Sequence, residues 1–212
     1  MFGNTRQNIQ RDSEIVAAES LLIDRCRKQD PQAFAQFIDL YQARVFGFIK
    51  RMTPNGEEAA DLTQEVFIRA YQHFNRFDLR SSVKTWLFTI AHNLCIDHSR
   101  RRSRTPDSIS LQGDRIADDE IEIADHAWQP DLVFADSEIE EALESAISKM
   151  SVKLKAVLLM HDREDLSYEE IASALSIPVG TVKSRLFLGR TFLQNELREY
   201  LNRSNEEGNY SK

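Results

Sequence analysis

Apolar residues recur at helical spacing through most of the chain. After Asp30-Pro31, a helix start signal, Phe34, Phe37, Ile38, Tyr41, Val45, Phe48 and Ile49 follow three or four apart and stop at Thr53-Pro54-Asn55-Gly56. Before it, Ile15 to Lys28 reads as a helix with Leu21, Leu22 and Cys26 inward. After it, Glu57 to Phe74 predicts a helix packing through Leu62, Val66 and Ala70. A further helix, capped by Ser81 or Ser82 and running to Arg102, turns Trp86, Ile90 and Leu94 inward. Asn93 and Asp97 share that side and need partners if buried. Beyond a gap, Glu138 to Met150 and Ser151 to His161 give two amphipathic helices, with Leu143, Ile147, Leu154, Val157 and Leu158 for a second core. There are no alternating apolar runs, and only 7 glycines and 5 prolines, so the expected class is all-α.

The stretch LSYEEIASALSIPVGTVKSRLFLGR, Leu166 to Arg190, carries the most specific pattern. Ser167 and Glu170 form a capping box, since hydroxyl and carboxylate satisfy N–H groups that an opening helix leaves orphaned. Ile171, Ala172 and Leu175 give that helix one buried face, and Ser176-Ile177-Pro178 stops it. A second helix starts near Pro178 and continues past Arg190. So short a turn forces a steep crossing, which predicts a helix-turn-helix. On the second helix Val182, Leu186 and Gly189 pack, while Thr181, Ser184, Phe187 and Leu188 face outward. Lys183 and Arg190 on one side and Arg185 on the other flank that outward face, as suits a helix between two phosphate walls. Ser184 can bond a base edge and Phe187 can touch a thymine methyl.

Charge sharpens this picture. The net −7 is unevenly spread: residues 1 to 104 carry 16 basic and 12 acidic side chains, residues 105 to 142 carry 1 and 12, and residues 143 to 212 carry 10 of each. The acidity sits in one turn-rich central segment, so the flanking parts remain free to approach phosphate. Five segments follow: a disordered tail over 1–14, a helical domain over 15–104, an acidic flexible linker over 105–136, a helix-turn-helix domain over 137–203, and a disordered tail over 204–212. No apolar run reaches membrane-spanning length, so the expectation is a cytoplasmic protein with no membrane contact of its own. Cys26 and Cys95 give neither a disulfide framework nor paired zinc spacing. His92, Cys95 and His98 are three apart but diverge around the helix and lack a fourth ligand, so no metal or other cofactor is expected. No nucleophile, base and carboxylate set stands out, so the chain does not read as an enzyme.

Taken together, these residues resemble a bacterial RNA polymerase sigma factor of the extracytoplasmic-function group, across roughly Glu19 to Asn202. Two blocks match in order: DLTQEVFIRAY (Asp61 to Tyr71) with TWLFTIAHNLCIDHSRR (Thr85 to Arg101), then LSYEEIASALSIPVGTVKSRL (Leu166 to Leu186). The resemblance implies that Asp61, Gln64, Glu65, Phe67 and Ile68 dock on the clamp helices of core RNA polymerase. By their residues alone they read equally well as a solvated helix face. It also implies that the loop from Asn75 to Ser82 and the helix after it open the downstream promoter element and hold its single-stranded non-template strand, with Arg76, Phe77, Arg80, Ser82, Lys84, Arg100 and Arg101 as contacts. The helix-turn-helix residues Thr181, Lys183, Ser184, Arg185, Phe187 and Arg190 would read duplex promoter DNA at the minus-thirty-five element. The acidic segment would thread through the polymerase, and an anti-sigma factor wrapping both domains is a further partner of the family.

Two departures stand out. Leu188-Gly189-Arg190 replaces the family's usual Arg-Ala-Arg, which removes one basic contact. Ser176 sits where many helix-turn-helix proteins have glycine, at a cost of about 1 kcal/mol if the site needs positive φ. The rival expectation is a conventional regulator that binds duplex DNA as a dimer, which would require a symmetric site.

Overall fold

The structure, a computed structural model, describes residues 18 to 103 apart from Pro54, and residues 137 to 209. The expected tail over 1–14 and the acidic segment over 105–136 lie outside the described residues. Every regular element among those described is helical: α1 (18–27), α2 (Pro31–Met52), α3 (Gly56–His73) with a 3₁₀ turn at Phe74–Arg76, α4 (Val83–Ser103), α5 (Ser137–Lys149), α6 (Val152–Leu158) leading into a π turn at Leu159–Arg163, α7 (Tyr168–Leu175) and α8 (Val179–Asn209). The last helix runs through the stretch expected to fray after Arg203.

Local signals set these boundaries. Asp30 caps α2 by accepting from the amides of Gln32 (2.9 Å) and Ala33 (3.3 Å), while its other oxygen takes Arg25 Nε at 2.9 Å. The Arg25 hydrogen bond, the Ala33 amide and then the Gln32 amide hold the Asp30 carboxyl below its usual range. Ser82 caps α4 by accepting from the amide of Thr85 at 3.1 Å, which selects it over Ser81.

α2, α3 and α4 pack on one another around an aromatic core. Phe37 and Phe74 meet edge to face, with centroids 5.1 Å apart, and Phe48 meets Phe88 in the same way at 5.3 Å. Burying each such ring stabilises the fold by roughly 2–3 kcal/mol. Cys26 of α1 joins this core and Leu22 is partly buried, but Leu21, expected inward, is 63% exposed. Neighbours in a helix point about 100° apart, and a helix that packs on one side buries only one of such a pair. Asn93 and Asp97 are exposed, so the need for buried partners does not arise.

The second group, α5 to α8, buries Ile147, Leu154, Val157, Leu158, Leu159, Met160, Leu166 and Ile171. The two groups share one continuous apolar core, because α7 packs against α4, and α5 and α6 pack against α2. Among the described residues no single helix is long and apolar enough to cross a membrane.

Candidate nucleic-acid interface

The helix-turn-helix forms as its local chemistry dictates. Ser167 Oγ accepts from the Glu170 amide at 3.2 Å, and Glu170 Oε2 accepts from the Ser167 amide at 3.0 Å, closing the capping box. Ser176 then adopts φ 54°, ψ 47°, the left-handed conformation that the turn position demands. Its amide donates to Ser173 O, and the Ile177 amide donates back to Ala172 O at 3.0 Å, which closes the helix end by the Schellman pattern. From α7 to α8 the chain bends by 103°.

On α8 the inward set is as the periodicity predicts: Val182 and Leu186 are buried, and Gly189 lies so close that a Cβ there would sit 3.2 Å from Met150 Cε. The outward set is mixed. Phe187 is 43% exposed, Lys183 is exposed, and Thr181 and Arg185 are half-buried. Lys183 rests its ammonium 5.6 Å from the centre of the Tyr168 ring, a cation–π contact that holds the long side chain. Three expectations change. Leu188, expected to face outward, is partly buried and packs against the core. Ser184 is only 8% exposed and donates its hydroxyl to Thr181 O at 3.1 Å, so this short side chain folds onto its own helix and offers nothing to a base edge. Arg190 turns back to the π turn, with Nε 3.3 Å from Asp162 Oδ2 and a second bond from Nη2 to Oδ1. A bidentate carboxylate therefore already occupies the guanidinium that was expected to flank phosphate.

In the N-terminal half, the 3₁₀ turn and the loop after it present Arg76 and Arg80, both exposed; Arg80 pairs with Asp78 at 3.0 Å. Phe77, expected to capture a base, is instead 4% exposed and lies 5.3 Å from the Trp86 ring and 6.1 Å from Phe74. Its ring anchors the loop in the core, because burying an aromatic face is worth more than leaving it in water. Leu79 is the apolar group this loop does expose, 53% accessible at φ 63°. Its place between charged Asp78 and Arg80, in a loop, was the sequence signal for it. Ser82 and Lys84 begin α4, and Arg100 and Arg101 lie exposed towards its other end. Arg102 and His98 both reach Glu58, at 3.0 Å each.

The face of α3 is solvent-facing as expected for Asp61, Gln64 and Ile68, while Glu65 pairs with Arg69 at 2.7 Å. Phe67 is the exception. It is 7% exposed, its ring 6.3 Å from that of Phe37, so it supports the face from beneath. Tyr71, 38% exposed, lies one turn beyond Ile68 and extends the stripe.

The histidines and cysteine of α4 go separate ways: His98 to Glu58, His92 lowered in pKa by burial, and the Cys95 thiol pushed by burial to about 12. Missed entirely at the sequence level were Thr85, Arg44 and Glu164. Thr85 Oγ1 and Ser82 Oγ each lie 2.8 Å from Glu170 Oε1. Arg44 Nη2 lies 2.8 Å from Glu164 Oε2, and Arg51 Nε donates to Glu144 at 2.9 Å. Burial raises the Glu164 carboxyl, with Arg44 and Lys84 acting against it.

Comparison with known proteins agrees with this layout. The family described as Sigma-70 region 2 matches residues 37–105, and Sigma-70, region 4 matches residues 140–193. The chain is 34% identical over 180 residues to the ECF RNA polymerase sigma factor SigW of Bacillus subtilis, covering 84% of this chain and 95% of that protein. It is 33% identical to the RNA polymerase sigma-H factor of Pseudomonas aeruginosa, covering 85% and 94%. A solved structure of the sigma factor RpoE in complex with the anti-sigma factor NepR from Bartonella quintana shares the fold, with TM-score 0.60 and 24% identity over 78% of this chain and 96% of that one.

Proposed function

Because the chain belongs to the sigma-70 family, in its extracytoplasmic-function group, we propose that it joins core RNA polymerase, recognises the minus-ten and minus-thirty-five elements of promoters and promotes melting of the downstream element. The observation that carries this reading is the joint presence in one chain of the solvent-facing α3 stripe and a helix-turn-helix bent by 103° with Phe187 and Lys183 on its open side.

Each surface has a role its chemistry suits. Asp61, Gln64, Glu65, Ile68 and Tyr71 form an acidic stripe with apolar members, which fits a basic helical partner on the polymerase. Arg76, Arg80 and Leu79 offer charge for a phosphate chain and an apolar tip for an unstacked base. Arg100 and Arg101 add positive charge along α4. On α8, Thr181 and Phe187 face base edges while Lys183 and Arg185 take the phosphates that fix register. Arg190 joins them once Asp162 is displaced. In this reading residues 15–104 form the docking and downstream-element unit, residues from 137 onward the upstream-element unit, and the acidic segment 105–136 connects them and follows the nucleic-acid path through the polymerase. The protein then acts where the polymerase is, in the cytoplasm. An anti-sigma factor is a fitting regulator, since the RpoE structure of similar fold is a complex with such a protein.

Run-off transcription from a genomic promoter library, with purified core polymerase with and without the protein, tests this. Transcripts that appear only with the protein, from promoters sharing paired elements, are the expected result. A symmetric duplex footprint by the protein alone, without new transcripts, would instead establish the conventional dimeric regulator.

A further inference from the structure

The π turn decides where Asp162 points. The Glu164 amide bonds Leu159 O at 3.2 Å, five residues back, so the turn is one residue wider than an α turn and carries Asp162 to α8. There Asp162 Oδ2 takes Arg190 Nε at 3.3 Å and Oδ1 takes Arg190 Nη2, so the carboxylate and the guanidinium meet through two bonds. The pair is partly desolvated, with 21% of the Arg190 side chain and 31% of the Asp162 side chain exposed. Asp162 Oδ1 also lies 3.5 Å from His161 Nδ1, and the His161 ring rests 5.0 Å from that of Tyr168, whose centre is 5.6 Å from Lys183 Nζ. Asp162 is therefore built into the same flank of the reading helix as Lys183. Leu188 is apolar, so Arg190 is the next basic residue of α8 after Arg185, and one of three cations that flank the outward face.

We propose that Asp162 is a specificity-determining residue: it withholds Arg190 from the phosphates of duplex DNA in general and yields it only where Thr181 and Phe187 meet bases that fit. This deepens the proposed function and rests on it for α8 as the helix that reads duplex DNA. A carboxylate and a phosphodiester compete for the same N–H groups of a guanidinium, so Arg190 serves one or the other. Taking it from Asp162 breaks a partly desolvated pair and leaves a carboxylate beside DNA. A duplex held by charge alone meets α8 in many registers, at a distance set by Lys183 and Arg185, and gains too little to break the pair. A duplex whose bases seat against Thr181 and Phe187 brings a phosphate to one fixed place, where its bonds to Arg190 offset the loss. The pair thus weakens binding to DNA at large more than binding to the fitting site, and specificity is that difference.

The test uses the full chain and two fluorescein-labelled duplexes, one of randomised sequence and one that the unsubstituted chain itself enriches from that pool. Anisotropy titrations at several salt concentrations are run with the unsubstituted chain, Asp162→Asn, Arg190→Gln and the double variant. Asparagine keeps the shape of aspartate, and circular dichroism checks that every variant remains helical. Asp162→Asn should tighten binding of the randomised duplex roughly fivefold at about 0.15 M salt, the yield of one more neutralised phosphate, and steepen its salt slope by about one. The enriched duplex, which already engages Arg190, should gain less and keep its slope. In the Arg190→Gln chain the same substitution should add neither tightening nor slope, because its effect passes through the guanidinium. Tightening that persists without Arg190 would mean plain repulsion between Asp162 and DNA and overturns the proposal, as do an unchanged randomised duplex or equal gains for the two duplexes. Run-off transcription with core polymerase separates the two readings: promoter-directed transcripts without the coupled gain sink the Asp162 restraint alone, whereas the coupled gain without such transcripts sinks the sigma function alone.

Discussion

Thr85 donates its hydroxyl to Glu170 at 2.8 Å, joining two helix starts that lie 85 residues apart in the chain. Burial alone would push this carboxyl up, but bonds from the Ser167 amide and the Ser82, Thr85 and Ser167 side chains outweigh it and hold the group down at about 2. A folded-state value below the ordinary 4.5 means that Glu170 stabilises the fold above that pH and loses its contribution as pH falls towards 2. Denaturant unfolding followed by circular dichroism should therefore show the unsubstituted chain losing more stability than Glu170→Gln between about pH 4.5 and 2. Parallel pH curves for the two proteins would contradict the assignment.

Phe77 and Leu79 should separate structure from DNA contact. Phe77→Ala removes a buried ring stacked near Trp86 and should cost about 3–5 kcal/mol in urea unfolding. Leu79→Asn places a residue tolerant of left-handed backbone at φ 63°, so stability should hold or rise slightly. Promoter opening, read by permanganate reactivity of unpaired thymines, should nevertheless fall.

Gly189→Ala should stabilise the protein by about 0.5–1 kcal/mol, because alanine is the better helix former and the closest obstacle is a methionine methyl at 3.2 Å, the movable end of a flexible side chain. A lower urea midpoint would mean that Met150 cannot yield.

Asp61→Lys with Glu65→Lys should weaken association with core polymerase in a pull-down while leaving the melting temperature within a degree or two. Asp61 is exposed, and the Glu65–Arg69 pair is a surface pair one helical turn apart, worth about 0.3–0.5 kcal/mol. Equal retention of polymerase would remove the docking role.

Arg185→Ala should weaken binding of the upstream element about equally across sequences and reduce the salt slope by about one, whereas Phe187→Ala should leave the slope intact and relax base preference. Anisotropy titrations at several salt concentrations distinguish the two.

The helices and the helix-turn-helix were legible because their causes are local. Asp30 before Pro31, Ser167 with Glu170 three residues on, and the packing of Val182, Leu186 and Gly189 each act within a turn or two of chain. What escaped depends on how the chain folds back on itself. Periodicity can place Phe77 beside charged neighbours, but only the fold shows Trp86 and Phe74 waiting for its ring. Arg190 faces outward until the π turn brings Asp162 beneath it, 28 residues away. Ser184 marks a different limit, since the outward side of a helix is a direction, and a side chain as short as serine that bonds its own backbone does not project along it.

The order in which the chain is made gives the Glu170 contact a temporal meaning. At about 5–20 residues per second, synthesis reaches Glu170 roughly 4 to 17 seconds after Thr85. Through that interval the nascent protein carries a complete α3 stripe and an α4 start whose Ser82 and Thr85 hydroxyls have no Glu170 carboxylate to bond. The newborn chain thus presents the start of α4 before the carboxylate that will hold it exists, while the α3 stripe stays solvent-facing in the finished fold as well.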